Sequence, residues 1–488
     1  MNKSRDTVDK GKIIKNGLLN AIKTLCSILF PLITVPYVTR VLGAENLGKY
    51  NFANSIINYY ALFASLGIST YAVRECSKVR TEGIKLNKIA SELFSFNICT
   101  MFVSCIMLFI TIIVYSRLEP YRLLISVLAI NIPLSVIGME WINMAMERFG
   151  YITLRTVVFQ ILSLLAMFLV VRSPEDYIKY AVISVCALGG ANILNYFYIK
   201  RFCTISFTYR LNLKKHIKPI LLVFSLLVAQ SIMANLDITM LGLLVNDKAV
   251  GLYSMSVNMY VTIERVISSI AIVLLPQMAM LYQESDYEKI SDLLKKVWNF
   301  IYAFSIPFVV GLIFLSKEIL GCICGEEFIP AATSLSILAV AMFINLLGGS
   351  FWGNIVLLPS GREGQFMVAC IVSAICNAIS NYFCIPAWGI NGAAVTTTIS
   401  VAVVYFVCRL KKDKRIKIEI SGRDIVGPLV GGTLIALVCC GVKLFVSNYW
   451  LRIFYSVIYS AVVYLIVLCC FKNEIVTMLG SRIRKRKS

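Results

Sequence analysis

Long apolar runs recur along the whole chain, and they constrain its fold more than any other feature. Each run is long enough to cross roughly 30 Å of hydrocarbon as a helix. The runs lack the in-and-out alternation of barrel strands, so the sequence predicts an all-α integral membrane protein. About fourteen spans are expected, near residues 16–39, 50–72, 90–115, 121–145, 152–171, 177–199, 219–245, 250–280, 297–316, 332–357, 365–385, 390–409, 425–446 and 451–471.

Charge and composition support the same class. Charged residues make up 15% of the chain, against roughly 25% in soluble proteins. When the N-terminus is placed inside the cell, the inner connections hold 35 of the 47 Lys and Arg residues and the outer connections hold 10. Cytoplasmic loops carry such an excess, so both termini are expected to be cytoplasmic. The same rule accounts for the net charge of +21, and nucleic acid is not an expected partner.

The sequence offers no catalytic or metal-binding pattern. His216 is the only histidine and lies in a basic connection, where a solvated side chain is expected. No CxxC pair and no second histidine is present to complete a zinc site, and no P-loop or nucleophile elbow occurs. We therefore predict neither an enzyme nor a metalloprotein.

Two short motifs each occur twice. LGAENLGKYNFANS at 42–55 resembles VNDKAVGLYSMSVN at 245–258, and ERFG at 147–150 more weakly resembles GREG at 361–364. The copies lie six spans apart on the same side, which implies two six-helix bundles related by an axis along the membrane normal. The predicted parts are a cytoplasmic tail, a first bundle, a basic linker, a second bundle, a basic loop, two further spans and a basic cytoplasmic tail, at 1–13, 14–200, 201–216, 217–410, 411–424, 425–471 and 472–488.

Seven stretches together resemble the oligosaccharide flippases of the polysaccharide transporter family, whose superfamily also holds the multidrug-and-toxin exporters and the peptidoglycan lipid II flippase. Each stretch is loosely defined, but they follow the family's order from span 1 to span 12. They are FPLITVPYVTRVLGAENLGKYNFANS (30–55), LGISTYAVRE (66–75), EWINMAMERFGYITLR (140–155), NLDITMLGLLVNDKAVGLYSMS (235–256), VLLPQM (273–278), GEEFIPAATSLSIL (325–338) and PAWGINGAAVTTTIS (386–400).

The resemblance implies two bundles around a central cavity in a bacterial cytoplasmic membrane. The implied activity is the movement of an undecaprenyl-pyrophosphate-linked oligosaccharide from the inner to the outer leaflet by alternating access, for O-antigen, capsule or exopolysaccharide synthesis. The implied partners are this lipid-linked sugar and membrane lipids, with polysaccharide polymerase and chain-length proteins as further candidates. No cofactor is implied, and coupling to H⁺ or Na⁺ stays open.

Charged residues within the spans mark the candidate site. A charge at mid-span costs about 2.5–3.5 kcal/mol on insertion scales, so such residues are by default functional candidates. Arg265 and Glu264 lie in span 8, Asp237 in span 7 and Lys23 in span 1. The resemblance places Asp237 and Arg265 in a cationic lumen, where Arg265 and Lys23 would bind pyrophosphate and Asp237 and Glu264 would be ion-pair or coupling residues. Purely structural ion pairs and snorkelling of Lys23 are the alternatives.

Amide side chains form a second candidate set. Asn51, Asn54 and Asn58 share a face of span 2, and Asn258 lies in span 8. Amides both donate to and accept from hydroxyls, so these four are candidate sugar contacts. Hydrogen bonding between helices is the alternative.

Two other functions fit part of the pattern. A drug or cation antiporter of the same superfamily would share the fold, but the two additional spans and the cationic lumen favour the flippase. A membrane glycosyltransferase or polysaccharide polymerase needs a sizeable region outside the membrane, whereas the connections here are short and the longest are basic.

Overall fold

In the part of the chain that it describes, the computed structural model consists of helices and their connections, without β-strands, and it divides into two compact units. Unit 1 comprises Met1–Asn235 and unit 2 comprises Leu236–Ser488. The described backbone covers residues 2–209, 213–413, 415–416 and 418–474, and within it the side chains of 2–25, 27–29, 213–215, 270–273 and 275–276 lie outside the described set.

Unit 1 contains nine helices and most of a tenth among its described residues. They are α1 (Asn2–Ser65), α2 (Ile68–Lys78), α3 (Gly83–Val114), α4 (Arg122–Ala129), α5 (Asn131–Gly138), α6 (Glu140–Ala145), α7 (Phe149–Val170), α8 (Tyr177–Val185), α9 (Ala191–Ile199) and α10 (Leu213–Leu244). Unit 2 contains the end of α10, followed by α11 (Asp247–Glu284), α12 (Tyr287–Ile323), α13 (Ala332–Asn345), α14 (Glu363–Leu410), α15 (Gly422–Phe445) and α16 (Tyr449–Cys470).

Among the described residues, eleven helical stretches are long and apolar enough to cross a membrane. Two are unusually long, Phe30–Lys78 with 49 residues and Glu363–Leu410 with 48. Each contains a glycine with non-helical backbone angles, Gly43 in the first and Gly389 in the second. The predicted all-α membrane fold is confirmed, whereas the count of fourteen spans stays a prediction.

The two copies of the weaker sequence repeat adopt the same local backbone. Glu147 and Gly361 both lie in the left-handed region, with φ of 55° and 73°. The next residue in each copy donates its amide to a carbonyl five residues earlier, at 2.8 Å in unit 1 and 3.0 Å in unit 2. A 3₁₀ turn also occurs in each unit, at Ser116–Tyr121 and Glu326–Ala331. These agreements favour internal repetition, and the superposition of the two six-helix bundles stays a prediction.

Polar contacts hold the hairpin of α15 and α16 to α12 at both ends. At one end, the buried carboxylate of Glu318 pairs with Lys443 at 3.0 Å and with Arg452 at 3.2 Å. At the other end, Asn299 Nδ2 donates to Glu474 Oε2 at 2.6 Å. The two spans that have no counterpart in the sequence repeat are therefore packed as part of unit 2.

Two segments of α14 lie close together, and their contact positions the polar side chains that this helix carries. The helix bends at Gly389, where φ is 54° and ψ is −129°, a conformation that favours glycine. Just beyond the bend, a Cβ added to Gly392 would overlap the carbonyl oxygen of Cys384. Glycine at this position lets the two arms of α14 lie close together.

We expect Gly392→Ala to destabilise the protein by about 1–3 kcal/mol, the usual cost of overpacking. The measurement is the thermal unfolding midpoint in detergent. Gly441→Ala in α15 is the matched control, because no described atom lies within 4 Å of its added Cβ and alanine is the better helix former. Equal midpoints for the two variants would contradict the role of Gly392.

Candidate functional site

The predicted arginine lies on a polar face of α11. Asn258, Thr262, Arg265 and Ser269 follow one another at helical spacing, which aligns them along one side. Asn258 and Arg265 are exposed, and Arg265 lies near the middle of this 38-residue helix. Charged side chains in membrane-spanning helices usually face the protein interior or a water-filled cavity, so this face is a candidate lining for a polar path.

Glu264 has an amide partner within unit 2. Its Oε1 accepts a hydrogen bond from Asn345 Nδ2 at 2.6 Å, and Asn345 is the last residue of α13. The bond ties α11 to α13. The predicted coupling role of Glu264 stays a prediction.

Asp237 is the centre of a buried polar cluster in unit 2. The residue is 4% exposed. Tyr253 on α11 donates to its Oδ2 at 2.7 Å, and Asn381 on the first arm of α14 donates to its Oδ1 at 2.6 Å. Thr397 on the second arm also donates to Oδ2. These described partners are all uncharged side chains.

The atoms around Asp237 suit a small hard cation. Asn377 Oδ1 accepts from Asn381 at 3.1 Å, and the hydroxyl of Thr397 lies 2.9 Å from the carbonyl oxygen of Ala393. Carboxylate, amide, hydroxyl and carbonyl oxygens are the ligands that hard cations prefer. Clusters of three or more His, Cys, Asp and Glu are absent from the described residues, but a monovalent cation on neutral oxygens does not need one.

Arg265 and Asp237 have different surroundings in the structure. Arg265 is not among the described hydrogen-bond or ion-pair partners of Asp237, so a structural ion pair between these two residues, one of the alternatives, is not formed in this conformation. Arg265 is exposed on α11, while Asp237 is buried between α10, α11 and α14. The side chain of Lys23 lies outside the described residues. The binding and coupling roles of all three stay predictions.

The asparagines of span 2 differ in their surroundings. Asn51 and Asn54 are half-buried, whereas Asn58 is exposed. Asn58 Nδ2 donates to Asn235 Oδ1 at 3.0 Å, which is the helix–helix bond of the alternative interpretation. The buried Nδ2 of Asn51 has no hydrogen-bond partner among the described atoms. Sugar contact stays a prediction for these three and for Asn258.

The solvated position predicted for His216 is wrong. The residue is 3% exposed, because α10 already begins at Leu213 and carries the ring into unit 1. Its Nδ1 lies 2.8 Å from the Tyr71 hydroxyl, and its Nε2 lies 3.3 Å from Glu92 Oε2. The ring is therefore held between α2 and α3.

Unit 2 contains an apolar groove that the sequence patterns did not reveal. It has a volume of about 470 Å³, and its walls include Ile263, Phe304, Pro307, Gly311, Ile435 and Val457. These residues belong to α11, α12, α15 and α16. The one signal in the sequence was the pair of spans 13 and 14, which the repeat left unexplained.

α11 lies between the apolar groove and the polar face. Ile263 lines the groove, and Arg265 follows two residues later. At 3.6 residues per turn, two residues correspond to roughly 200° around the helix. The two side chains therefore point to nearly opposite sides of α11.

A family model described as "Polysaccharide biosynthesis protein" matches residues 13–282, more than half of the chain. Two relatives extend the match toward the C-terminus. The capsular polysaccharide biosynthesis protein CapF of Staphylococcus aureus is 24% identical over 414 residues, covering 80% of this chain and 97% of the relative. A putative O-antigen transporter of Shigella dysenteriae is 21% identical over 407 residues, covering 82% of this chain and all of the relative.

A solved structure shares the fold. The lipid II flippase MurJ, in an inward closed conformation, matches with a TM-score of 0.75 at 16% identity, covering 94% of this chain and 100% of that chain. The unmatched remainder of this chain is shorter than the hairpin of α15 and α16, so the match includes at least part of that hairpin. The chain therefore belongs to the polysaccharide biosynthesis protein family, as a multi-pass membrane protein with the same fold as the lipid II flippase.

Proposed function

We propose that the protein is a flippase that moves polyprenyl-pyrophosphate-linked oligosaccharides from the inner to the outer leaflet of a bacterial cytoplasmic membrane. The family supports a role in surface polysaccharide synthesis, because its relatives are named for capsule biosynthesis and O-antigen transport. The observation that carries the finer proposal is α11, with an exposed arginine on one side and the apolar groove on the other.

The proposed cargo has a polar part and an apolar part, and α11 has a polar face on one side and the apolar groove on the other. Its pyrophosphate and sugars need a hydrated path, while its polyprenyl chain stays in apolar surroundings. The guanidinium of Arg265 can bind two phosphate oxygens at once, and Asn258 on the same face can bond sugar hydroxyls. Lys23 assists when the path opens to the cytoplasm. The apolar groove accommodates part of the polyprenyl chain.

The proposed cycle is alternating access, in which the two six-helix bundles open the path first to one side and then to the other. Asp237 binds Na⁺ or a proton during this cycle. Binding changes the charge at the centre of the cluster, and so changes the relative stability of arrangements that differ in the contacts of Tyr253, Asn381 and Thr397. A ligand with different affinities for two states shifts the balance between them.

Deletion and complementation of the gene test the function. Without the protein, we expect lipid-linked oligosaccharide to accumulate in the inner leaflet and surface polysaccharide to be lost. Purified protein in proteoliposomes should move undecaprenyl-pyrophosphate-linked oligosaccharide extracted from the host cells. If deletion instead left polysaccharide unchanged and raised sensitivity to cationic dyes, the protein would be an antiporter of the same superfamily.

The groove can be tested with one substitution. Gly311→Leu places a bulky side chain in the apolar groove, where no described atom lies within 4 Å of the new Cβ. We expect a several-fold lower rate of export with an unchanged or slightly higher unfolding midpoint, since leucine is roughly 0.8–1 kcal/mol better than glycine within a helix. Gly441→Leu in α15, outside the groove, is the control. Normal export by Gly311→Leu would exclude the groove from the path of the lipid chain.

A further inference from the structure

The linker between the two sets of six predicted spans is fastened along α3. Residues 203–209 run extended beside this helix, and alternate backbone amides donate to side-chain oxygens spaced four residues apart. The bonds run from Thr204 N to Asn87 Oδ1 at 3.2 Å, from Ser206 N to Ser91 Oγ at 3.2 Å and from Thr208 N to Ser95 Oγ at 2.8 Å.

The two spacings match physically. Two residues of extended chain rise about 6.4–6.8 Å, and four residues of α-helix rise about 6.0 Å. Every second amide of the linker therefore meets the next turn of α3. We refer to residues 203–209 as the strap.

Each end of this region is anchored by a buried side chain. At the start, the thiol of Cys203 is 2% exposed and donates to Asn87 Oδ1 at 3.1 Å. Beyond the strap, His216 is held between Tyr71 and Glu92. Glu92 follows Ser91 directly on α3, so the strap and His216 attach to neighbouring positions of one helix.

Between these anchors most side chains of the strap are exposed, and Ile205 packs against the buried core of unit 1. Thr204, Ser206, Phe207 and Tyr209 are exposed. Regions with few buried apolar contacts and exposed backbone hydrogen bonds open most easily. The chain next enters α10, which crosses the boundary between the two units at Asn235. The strap therefore lies a few residues before the start of this helix.

We propose that the strap and the His216 contact form one releasable fastening, which holds the start of α10 on unit 1 and opens in each transport cycle. His216 and Glu92 act as positioning residues, because they set the place of α10 without touching the cargo. The inference rests on the proposed function, since a cycle is needed for the fastening to open.

Reactivity of Cys203 reports on opening. Burial raises the pKa of its thiol to about 11, so alkylation by N-ethylmaleimide is slow while the strap is closed. Glu92→Gln keeps the shape of the side chain but removes its charge, and we expect it to speed alkylation of Cys203 about tenfold, the effect of losing one charge-assisted hydrogen bond. The site is followed by peptide mass spectrometry on the full-length protein.

Ser104→Ala is the matched control, because this α3 residue bonds to Tyr60 of α1 at 2.6 Å and not to the strap. It should leave Cys203 alkylation unchanged. If Glu92→Gln also left it unchanged, the His216 contact and the strap would not be coupled, and the proposal of one fastening would be overturned.

A reversible lock tests whether opening is needed. Asn87→Cys places a second thiol beside the native Cys203, and oxidation of cells with diamide should cross-link them. We expect appearance of surface polysaccharide to stop on oxidation and to recover with dithiothreitol. Asn87→Cys combined with Cys203→Ser receives the same treatment and cannot form this cross-link.

Export by the cross-linked protein at the rate of the reduced protein would overturn the proposal. In that case the reduced variant still exports, so the flippase function stands. If wild-type protein failed to restore export in a deletion strain, the proposed function itself would fail. Where the lock variant does not accumulate in the membrane, the alkylation rates of Cys203 in Glu92→Gln and Ser104→Ala decide.

Discussion

Asp237→Asn should reduce polysaccharide export by roughly 5- to 150-fold, the range of typical coupling free energies, while the protein stays folded in the membrane. An amide can keep its oxygen toward Asn381 and turn its NH₂ group toward the hydroxyls of Tyr253 and Thr397, which can both accept. The shape of the cluster is therefore kept, and only the negative charge that would attract a cation is lost.

Tyr253→Phe is the matched comparison. It removes one hydrogen bond to the carboxylate, at 2.7 Å, but leaves the charge of Asp237 in place. We expect export to fall by only a few-fold, and to retain whatever dependence on Na⁺ or on the proton gradient the wild-type protein has. Export by Asp237→Asn should respond to neither.

The two substitutions separate charge from packing. If Asp237→Asn exported at the normal rate and kept the wild-type dependence on cations, Asp237 would have a structural role alone. If Tyr253→Phe and Asp237→Asn lost equal activity together with the unfolding midpoint, packing of the cluster would explain both.

The sequence located Asp237 but could not locate its partners. The insertion cost of a charge leaves few charged residues within spans, so each one is visible in the sequence. Its contacts depend on the bend at Gly389 and the close approach at Gly392, which bring Asn381 and Thr397 together. Hydropathy patterns carry no information about such a bend.

The repeated tyrosine shows a second limit of sequence analysis. Tyr253 is part of the polar cluster, whereas Tyr50, its match in the first copy, packs against the ring of Tyr180 with centroids 4.7 Å apart. The motif predicted equivalent positions but not equivalent roles, because the role depends on the residue that each ring meets. His216 is a similar case, since polarity alone did not distinguish a loop histidine from one buried by the first turn of α10.

Arg265→Ala should lower export by at least roughly 30-fold, since removing one partner of a close charge pair costs about 2–5 kcal/mol. Protein levels in the membrane should stay normal, because the guanidinium is exposed on α11 and lies outside the buried cluster. The measurements are surface polysaccharide in a complemented deletion strain and the amount of protein in isolated membranes.

Arg265→Lys distinguishes a binding role from a structural one. Lysine keeps the positive charge but loses the planar fork that can hold two phosphate oxygens, so we expect partial export, between that of wild type and of Arg265→Ala. Normal export by Arg265→Ala would show that this arginine does not bind the cargo. If Arg265→Ala failed to accumulate, the lysine variant would decide: full export would mean that charge alone suffices, and partial export at normal protein levels would support two-point recognition of the pyrophosphate.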